Sequence, residues 1–397
     1  MATGAPAMSS FLTSLTHRLS ETRKRVDRPR PSRSYRCTCG RPVFFRNSQC
    51  LGCHAPLGYL PENGKVRALV PGSAPGRFRV AGESGGDRTE WIRCGNFNSP
   101  AGCNWLVRAA TGEPLCIACR LNRTIPDLSI RGNGVLWARL EFAKRRLVAQ
   151  LLDLRLPVRS RVAEDRNSGL MFDFLTTPHG GPRVLTGHHA GLITLNIEEA
   201  DDSIRERTRH QLREPYRTLL GHFRHEVGHY YWDRLVAGSI WWSPFRDVFG
   251  DERSDYATAL RTHYQYGPSA DWPQRHVSAY ASVHPWEDWA ETWAHYLHVV
   301  DTLNTALGFG LDAYVVDFDA EPFPMDALYD PSDPGAPEFL ELLNSWVRLT
   351  AVVNELTRSM GQPDLYPFVL SNPAVRKLHL VHCVVSASAA SPDAMTG

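Results

Sequence analysis

Hydrophobic positions in the middle and at the end of the chain recur with helical spacing. From Leu136 to Leu154, apolar residues fall at three- and four-residue intervals with basic residues between them, which predicts an amphipathic helix. A long helical stretch is predicted from Asp202 to about Val236. Further helices are predicted over Asp251–Tyr264, Pro285–Leu303 and Pro337–Met360.

Short strand patterns precede the long helical stretch. The segments Gly169–Leu175 and Gly191–Ile197 are apolar and begin at a glycine, and Lys65–Val70 has a similar strand-like character. Short strands and long helices in separate parts of the chain predict an α+β fold, with a small sheet placed before the main helix.

Composition divides the chain into four parts. Residues 1–34 are small, polar and basic, and they are predicted to form a disordered tail. Residues 35–130 are rich in turns and hold eight of the nine cysteines, whereas residues 131–385 carry the helical pattern. Residues 386–397 are rich in alanine and serine and are predicted to form a second disordered tail.

Charge and hydropathy narrow the class of protein. The formal net charge of +2 is too small to make nucleic acid or a membrane the main partner. No apolar run reaches the length needed to span a bilayer, and the N-terminus lacks the pattern of a signal peptide. A cytoplasmic location without a membrane partner is therefore predicted. The arginines between Arg18 and Arg36 leave a protein or a nucleic acid as a candidate partner for the N-terminal region.

The segment from His225 to His229 carries the strongest chemical signal. The two histidines stand four residues apart, so a helix places both imidazoles on one face, where one zinc ion can bind both. Glu226 can reach a water molecule on that ion and act as its general base. The alternative is a surface helix with two ordinary hydrogen-bonded histidines. The apolar residues around the motif and the strand before it favour the metal site.

A third protein ligand must come from a later segment, and three glutamates are candidates. Glu252 follows His229 by 23 residues. Glu287 and Glu291 lie in an acidic segment that is also rich in tryptophan and alanine, an unusual mixture for a solvated helix face. Because they are four residues apart, one of these two can bind the metal while the other supports a histidine. The alternative is that both are exposed helix acids.

Several stretches resemble a family of bacterial zinc-binding metallopeptidases that carry an N-terminal zinc-ribbon region. The resemblance covers nearly the whole chain after about Arg36, and its matching stretches are Thr186–His188, Leu192–Asn196, Glu214–Glu226, Phe249–Glu252 and His284–His298. It implies a helix-rich, zincin-like metallopeptidase domain with a small sheet, preceded by a small β-rich zinc-ribbon region.

The segment around Glu287 also resembles the third-ligand helix of the anthrax lethal factor type of gluzincin. That resemblance implies that Glu287 is the third zinc ligand and that Glu291 supports the site from behind it. It further implies that Tyr280, seven residues before Glu287, stabilises the oxyanion of the reaction. The alternative is a tyrosine that serves only in packing.

Eight cysteines form two groups of four. The first group is Cys37, Cys39, Cys50 and Cys53, and the second is Cys94, Cys103, Cys116 and Cys119. Clustered cysteines without a secretory signal are typical of zinc sites, and four thiolates close such a site, so both zincs are predicted to be structural. Iron–sulfur ligation is the alternative that the spacing favours less. Cys383 is predicted to be a buried apolar residue.

These signals predict a zinc-dependent metallopeptidase that hydrolyses peptide bonds by means of a zinc-bound water activated by Glu226. It would use one catalytic and up to two structural zinc ions, and its partner would be a peptide or protein substrate. The strand 191–197 is predicted to pair with an extended substrate, as edge strands can. Two alternatives are a zinc-ribbon adaptor for nucleic acid or protein and a hydrolase of non-peptide amides.

Overall fold

A computed structural model of the protein describes residues 34–390 with the exception of 83–88, 179, 183, 213, 215–216, 312, 314–315, 317 and 319–320. The predicted tail at 1–34 therefore lies outside the described residues except for its last position. Among the residues described, no helix combines the length and apolar character that crossing a membrane requires.

The N-terminal region is built from short antiparallel strands. Two of them form a small ribbon, β1 (Tyr35–Arg36) and β2 (Pro42–Val43). Five more form a meander in chain order: β3 (Leu57–Leu60), β4 (Lys65–Pro71), β5 (Arg77–Val80), β6 (Trp91–Arg93) and β7 (Leu106–Arg108). Turns and glycines keep these strands short. The seven strands give this region the β-rich character that the sequence predicts.

A second sheet of four strands follows, in the order β10-β11-β9-β8. Its strands are β8 (Asn122–Thr124), β9 (Met171–Leu175), β10 (Gly187–His189) and β11 (Leu192–Asn196). β9 runs parallel to both of its neighbours, and β10 pairs antiparallel with β11. The prediction that strand 191–197 is an edge strand is wrong, because β10 covers its outer side.

Nine α-helices lie within the described residues. They are α1 (Asn133–Asp153), α2 (Asp202–Leu212), α3 (Leu219–Tyr231), α4 (Trp242–Phe249), α5 (Tyr256–Tyr266), α6 (Trp272–Arg275), α7 (Pro285–Gly308), α8 (Ala336–Ser359) and α9 (Asn372–Ala390). A wider helical turn at Trp232–Val236 continues α3. Long helices together with small sheets confirm the predicted α+β class.

Two boundaries differ from the sequence-based prediction. The predicted long stretch from Asp202 is divided into α2 and α3, and Thr218 begins α3 by accepting a hydrogen bond of 3.0 Å from the Gly221 amide. At the other end, α9 continues through Ala390, so a disordered tail starting at 386 is wrong for its first five residues. Alanines are strong helix formers and prolong the helix there. Residues 391–397 lie outside the described part.

α3 and α7 approach each other unusually closely. A Cβ atom at Gly228 would lie 2.9 Å from Ala290 Cα, a separation that real Cβ atoms essentially never show. The indole Nε1 of Trp289 donates a hydrogen bond of 3.0 Å to the Gly228 carbonyl and fastens the two helices together. The absence of a side chain at Gly228 thus brings the two predicted ligand segments into contact.

The N-terminal region and the helical region share one hydrophobic core. Trp105 from the meander and Trp137 from α1 are fully buried members of the same cluster. Arg145 of α1 donates a hydrogen bond of 2.9 Å to the Ala101 carbonyl in the cysteine-rich region. The two parts are therefore packed against each other rather than joined by a linker alone.

Candidate metal centre

The two histidines of α3 point their ring nitrogens at the same place. His225 Nε2 and His229 Nε2 are 3.2 Å apart, and their rings are nearly perpendicular, at 83°. The His229 side chain is 4% exposed and the His225 side chain 15%. One turn of helix gives this arrangement, as the four-residue spacing predicts.

Glu287 completes the group from the first turn of α7. Its Oε2 atom lies 3.1 Å from His225 Nε2 and 3.5 Å from His229 Nε2. Tetrahedral zinc with ligand bonds of 2.0–2.1 Å holds neighbouring ligand atoms about 3.3 Å apart. The three atoms therefore have the spacing of one face of a zinc tetrahedron, and these residues fit the ion that the sequence predicts.

The buried carboxylate of this group favours a cation beside it. Among the described residues, Glu287 Oε2 is buried without a hydrogen-bond partner. Burial by itself raises the pKa of Glu287, but the two histidines hold it well below its usual range. Burial likewise lowers the pKa of His225, yet Glu287 and Glu291 raise it well above its ordinary value. A buried carboxylate and two imidazoles stabilise a positive charge between them.

A carboxylate behind His225 fixes the orientation of its ring. Glu291 Oε1 lies 2.7 Å from His225 Nδ1, so the ring turns its Nε2 atom toward His229 and Glu287. The hydroxyl of Ser278 donates to the other oxygen of Glu291, also at 2.7 Å. Histidine ligands of zinc are commonly held in this way, with the second ring nitrogen on a carboxylate.

Glu226 and Tyr280 lie beside the histidines. Glu226 is 8% exposed, and burial raises the pKa of its carboxyl against the opposing effect of His225 and His229. The Tyr280 ring lies 6.0 Å from the His225 ring, and burial raises the pKa of its phenol well above the ordinary value. An acid with a raised pKa and a protonated phenol thus flank the predicted ion.

The structure separates the three candidate glutamates. Only Glu287 is grouped with both histidines among the described residues, and Glu291 contacts the far side of the His225 ring. Glu252 instead accepts hydrogen bonds from Trp242 Nε1 and Arg246 Nε, both at 2.9 Å. The Glu252 alternative is therefore wrong in geometry, because its carboxylate is already paired elsewhere.

Two further residues of the site carry no sequence signal of their own. Tyr256, the first residue of α5, donates its hydroxyl to Glu287 Oε1 at 2.7 Å. Ser278 lies in a loop before α7 and reaches Glu291. Periodicity cannot find either residue, since each acts through a contact between separate segments of the chain.

Aromatic rings and a strand edge border the site. The Trp286 ring lies 3.9 Å from the His229 ring, and the His188 ring lies 6.2 Å from the His229 ring and 6.3 Å from the Trp286 ring. His188 belongs to β10, whose outer side has no strand partner among the described residues. An extended chain could therefore lie along β10 next to the two histidines.

Both groups of four cysteines are assembled. In the first group, Cys37 and Cys53 have their Sγ atoms 3.6 Å apart, and those of Cys39 and Cys50 are 3.7 Å apart. In the second group, the Cys103 and Cys116 Sγ atoms are 3.7 Å apart, and all four cysteines are buried. Zinc–sulfur bonds of 2.3 Å place thiolates about 3.8 Å apart, so these residues fit tetrahedral zinc. The four cysteines of each group come together in space although the pairs Cys37/Cys39 and Cys94/Cys103 have irregular spacings in the sequence.

A fourth group that the sequence did not suggest consists of Asp333, His379 and Cys383. His379 Nδ1 accepts a hydrogen bond of 3.4 Å from the Asp330 amide, which leaves the proton of a neutral imidazole on Nε2. That nitrogen lies 4.0 Å from Asp333 Oδ2 and 3.8 Å from Cys383 Sγ. These contacts make the group a polar cluster in which His379 and Cys383 are buried.

Comparison with known families agrees with the geometry of the site. The family described as "Putative zinc-binding metallo-peptidase" matches residues 133–384. The chain belongs to this family. A zinc-ribbon domain matches residues 34–130, so the resemblance to metallopeptidases with an N-terminal zinc ribbon is confirmed.

Relatives that match most of the chain occur in mycobacteria. An uncharacterized protein of Mycobacterium bovis and uncharacterized proteins of two strains of Mycobacterium tuberculosis are each 41% identical to the chain over 355 residues. The match covers 89% of this chain and 95% of each relative, so it includes both the zinc-ribbon and the metallopeptidase regions. No solved structure matches the chain.

Proposed function

We propose that this member of the family hydrolyses peptide bonds, with a zinc ion held by His225, His229 and Glu287. The observation that carries the proposal is the convergence of three ligand atoms within 3.5 Å of one another. When bound, a zinc ion there lowers the pKa of a water molecule to about 7 and polarises a carbonyl oxygen. The residues around the ion then determine which reaction the water molecule and the carbonyl group undergo.

Glu226 is proposed as the general base. A carboxylate at this place can accept a proton from an attacking water molecule. It would take a proton from the attacking water and pass that proton to the nitrogen of the leaving amine. It directly follows the proposed ligand His225 on α3.

Tyr280 is proposed as the donor that stabilises the developing oxyanion. Burial keeps its phenol protonated, and a fixed O–H donor stabilises negative charge best where water is excluded. Glu291 and Ser278 would hold His225 in the orientation that leaves Nε2 toward the ion.

The two cysteine groups are proposed to hold one structural zinc each. All four members of each group offer Sγ atoms within 4.8 Å of one another, which leaves no position for a substrate. A peptide in extended conformation is the substrate form that suits the free edge of β10.

Replacing Glu226 by glutamine tests the proposed chemistry. A peptide library incubated with the zinc-loaded chain should be cleaved by the wild type and roughly 10²- to 10⁴-fold more slowly by Glu226→Gln. The zinc content should be unchanged, because Glu226 is not a ligand. Glu206→Gln, on the exposed surface of α2, is the matched control and should cleave like the wild type.

Other outcomes would reject the proposal. If the wild type and Glu226→Gln cleave no peptide, or cleave it equally, peptide hydrolysis by this site is wrong. A salt-sensitive binding activity that survives Glu226→Gln would instead favour the adaptor hypothesis. Zinc analysis should find about one ion fewer per chain in the variant His225→Ala/His229→Ala, as expected for one histidine site.

A further inference from the structure

The two oxygens of Glu287 have different surroundings. Oε2 faces His225 and His229, whereas Oε1 accepts the hydroxyl hydrogen of Tyr256 at 2.7 Å. Rotation about the last bond of a glutamate side chain is soft, so an unrestrained carboxylate samples a broad range of angles. A short hydrogen bond to one oxygen restricts that rotation and presents the other oxygen.

Tyr256 is itself held firmly against the start of α7. The side chain of Asp255 caps α5 by accepting hydrogen bonds from the Thr258 amide at 3.0 Å and its hydroxyl at 2.6 Å. The Tyr256 ring packs edge-on against the rings of His284 and Trp286, with centroids 5.3 and 6.1 Å away. The phenol is therefore positioned by both its backbone and its ring.

His284 ties the two helix starts together. Its Nδ1 accepts a hydrogen bond of 3.1 Å from the Trp286 amide, and so caps the N-terminus of α7. A neutral ring that accepts at Nδ1 carries its proton on Nε2, and that nitrogen lies 3.1 Å from the carbonyl oxygen of Ser254. Ser254, the residue before the α5 cap, is thus joined to His284, which lies three positions before Glu287.

We infer that Tyr256 is a positioning residue that fixes the Glu287 carboxylate for binding zinc through Oε2 alone. The inference rests on the proposed function, because it explains what orients Glu287 at the proposed zinc site. The phenol is the donor in this contact, because an ionised carboxylate can only accept a hydrogen bond. A donor that orients a metal ligand commonly contributes a factor of roughly 10 to 100 to metal affinity.

Metal affinity measured on the full chain tests this inference. Zinc-loaded wild type, Tyr256→Phe and Tyr266→Phe are titrated with a chelator, and the His225→Ala/His229→Ala variant gives the background from the cysteine groups. Tyr266 lies on the same helix and is 74% exposed, which makes it the matched control. The zinc dissociation constant of the histidine site should rise roughly 10- to 100-fold in Tyr256→Phe and stay within about twofold in Tyr266→Phe.

The outcomes separate the inference from the proposed function. If the wild type holds a histidine-dependent zinc ion but Tyr256→Phe binds it as tightly as Tyr266→Phe does, Tyr256 has no positioning role. If no zinc depends on His225 and His229, the metal site itself is wrong, and the positioning role falls with it. Equal thermal midpoints of the zinc-free variants would show that altered folding does not cause the loss of affinity.

Discussion

At the scale of single residues, the environment of each carboxylate decides its role. Glu287, Glu291 and Glu252 are the same residue type in neighbouring segments, yet one faces two imidazoles, one orients a ring and one pairs with an arginine. We expect zinc affinity to fall most in Glu287→Gln, less in Glu291→Gln, by roughly 10- to 100-fold, and hardly at all in Glu252→Gln. Chelator competition measures all three. A larger loss in Glu252→Gln than in Glu287→Gln would contradict the geometry.

At the scale of secondary-structure elements, the contact between α3 and α7 determines whether the ligands meet. Gly228→Ala adds a Cβ atom 2.9 Å from Ala290 Cα, so one helix must move away from the other. Alanine has a better helix propensity than glycine, which stabilises the folded state by about 1 kcal/mol. Overpacking against the backbone destabilises it by about 1–3 kcal/mol. We expect a lower thermal midpoint together with weaker zinc binding.

Gly187→Ala is the control for this prediction. It makes the same substitution on β10, where the added Cβ atom meets nothing within 4 Å. The thermal midpoint and the zinc affinity should therefore be lower in Gly228→Ala than in Gly187→Ala. If Gly228→Ala keeps wild-type stability and zinc affinity, the close approach of the helices is not what positions Glu287.

At the scale of the whole molecule, the second cysteine group lies in the core that the zinc-ribbon and metallopeptidase regions share. Cys116 and Cys119 are buried in the shared cluster, and the chain enters β8, an edge strand of the second sheet, shortly after Cys119. Structural zinc contributes folding free energy directly. We expect Cys116→Ser to lower the thermal midpoint and the proposed peptidase activity more strongly than Cys39→Ser, whose cysteine is exposed in the first group.

Limited proteolysis measures which region of the chain each cysteine substitution destabilises. Cys116→Ser should open sites within the metallopeptidase region, because that region loses part of its core, whereas Cys39→Ser should open sites near β1 and β2. Equal cleavage patterns in the two variants would mean that the second group does not support the metallopeptidase core.

The sequence by itself determined the local features. The spacing of His225 and His229 requires only one helical turn, and the extents of α1, α7 and α8 follow from periodicity within about five residues. The cysteine groups were also recognisable, because their members lie close together along the chain. These features depend on neighbours in sequence, whose geometry is set by the backbone.

Tertiary structure decided everything that depends on contacts between distant segments. Which glutamate joins the histidines follows from the packing of α7 at Gly228, and the contact of Tyr256 with Glu287 follows from the placement of α5. The interior position of β11 was set by the pairing of β10 across it. Strand order and helix packing bring together residues that no local pattern connects, because the free energy that fixes them comes from the shared core.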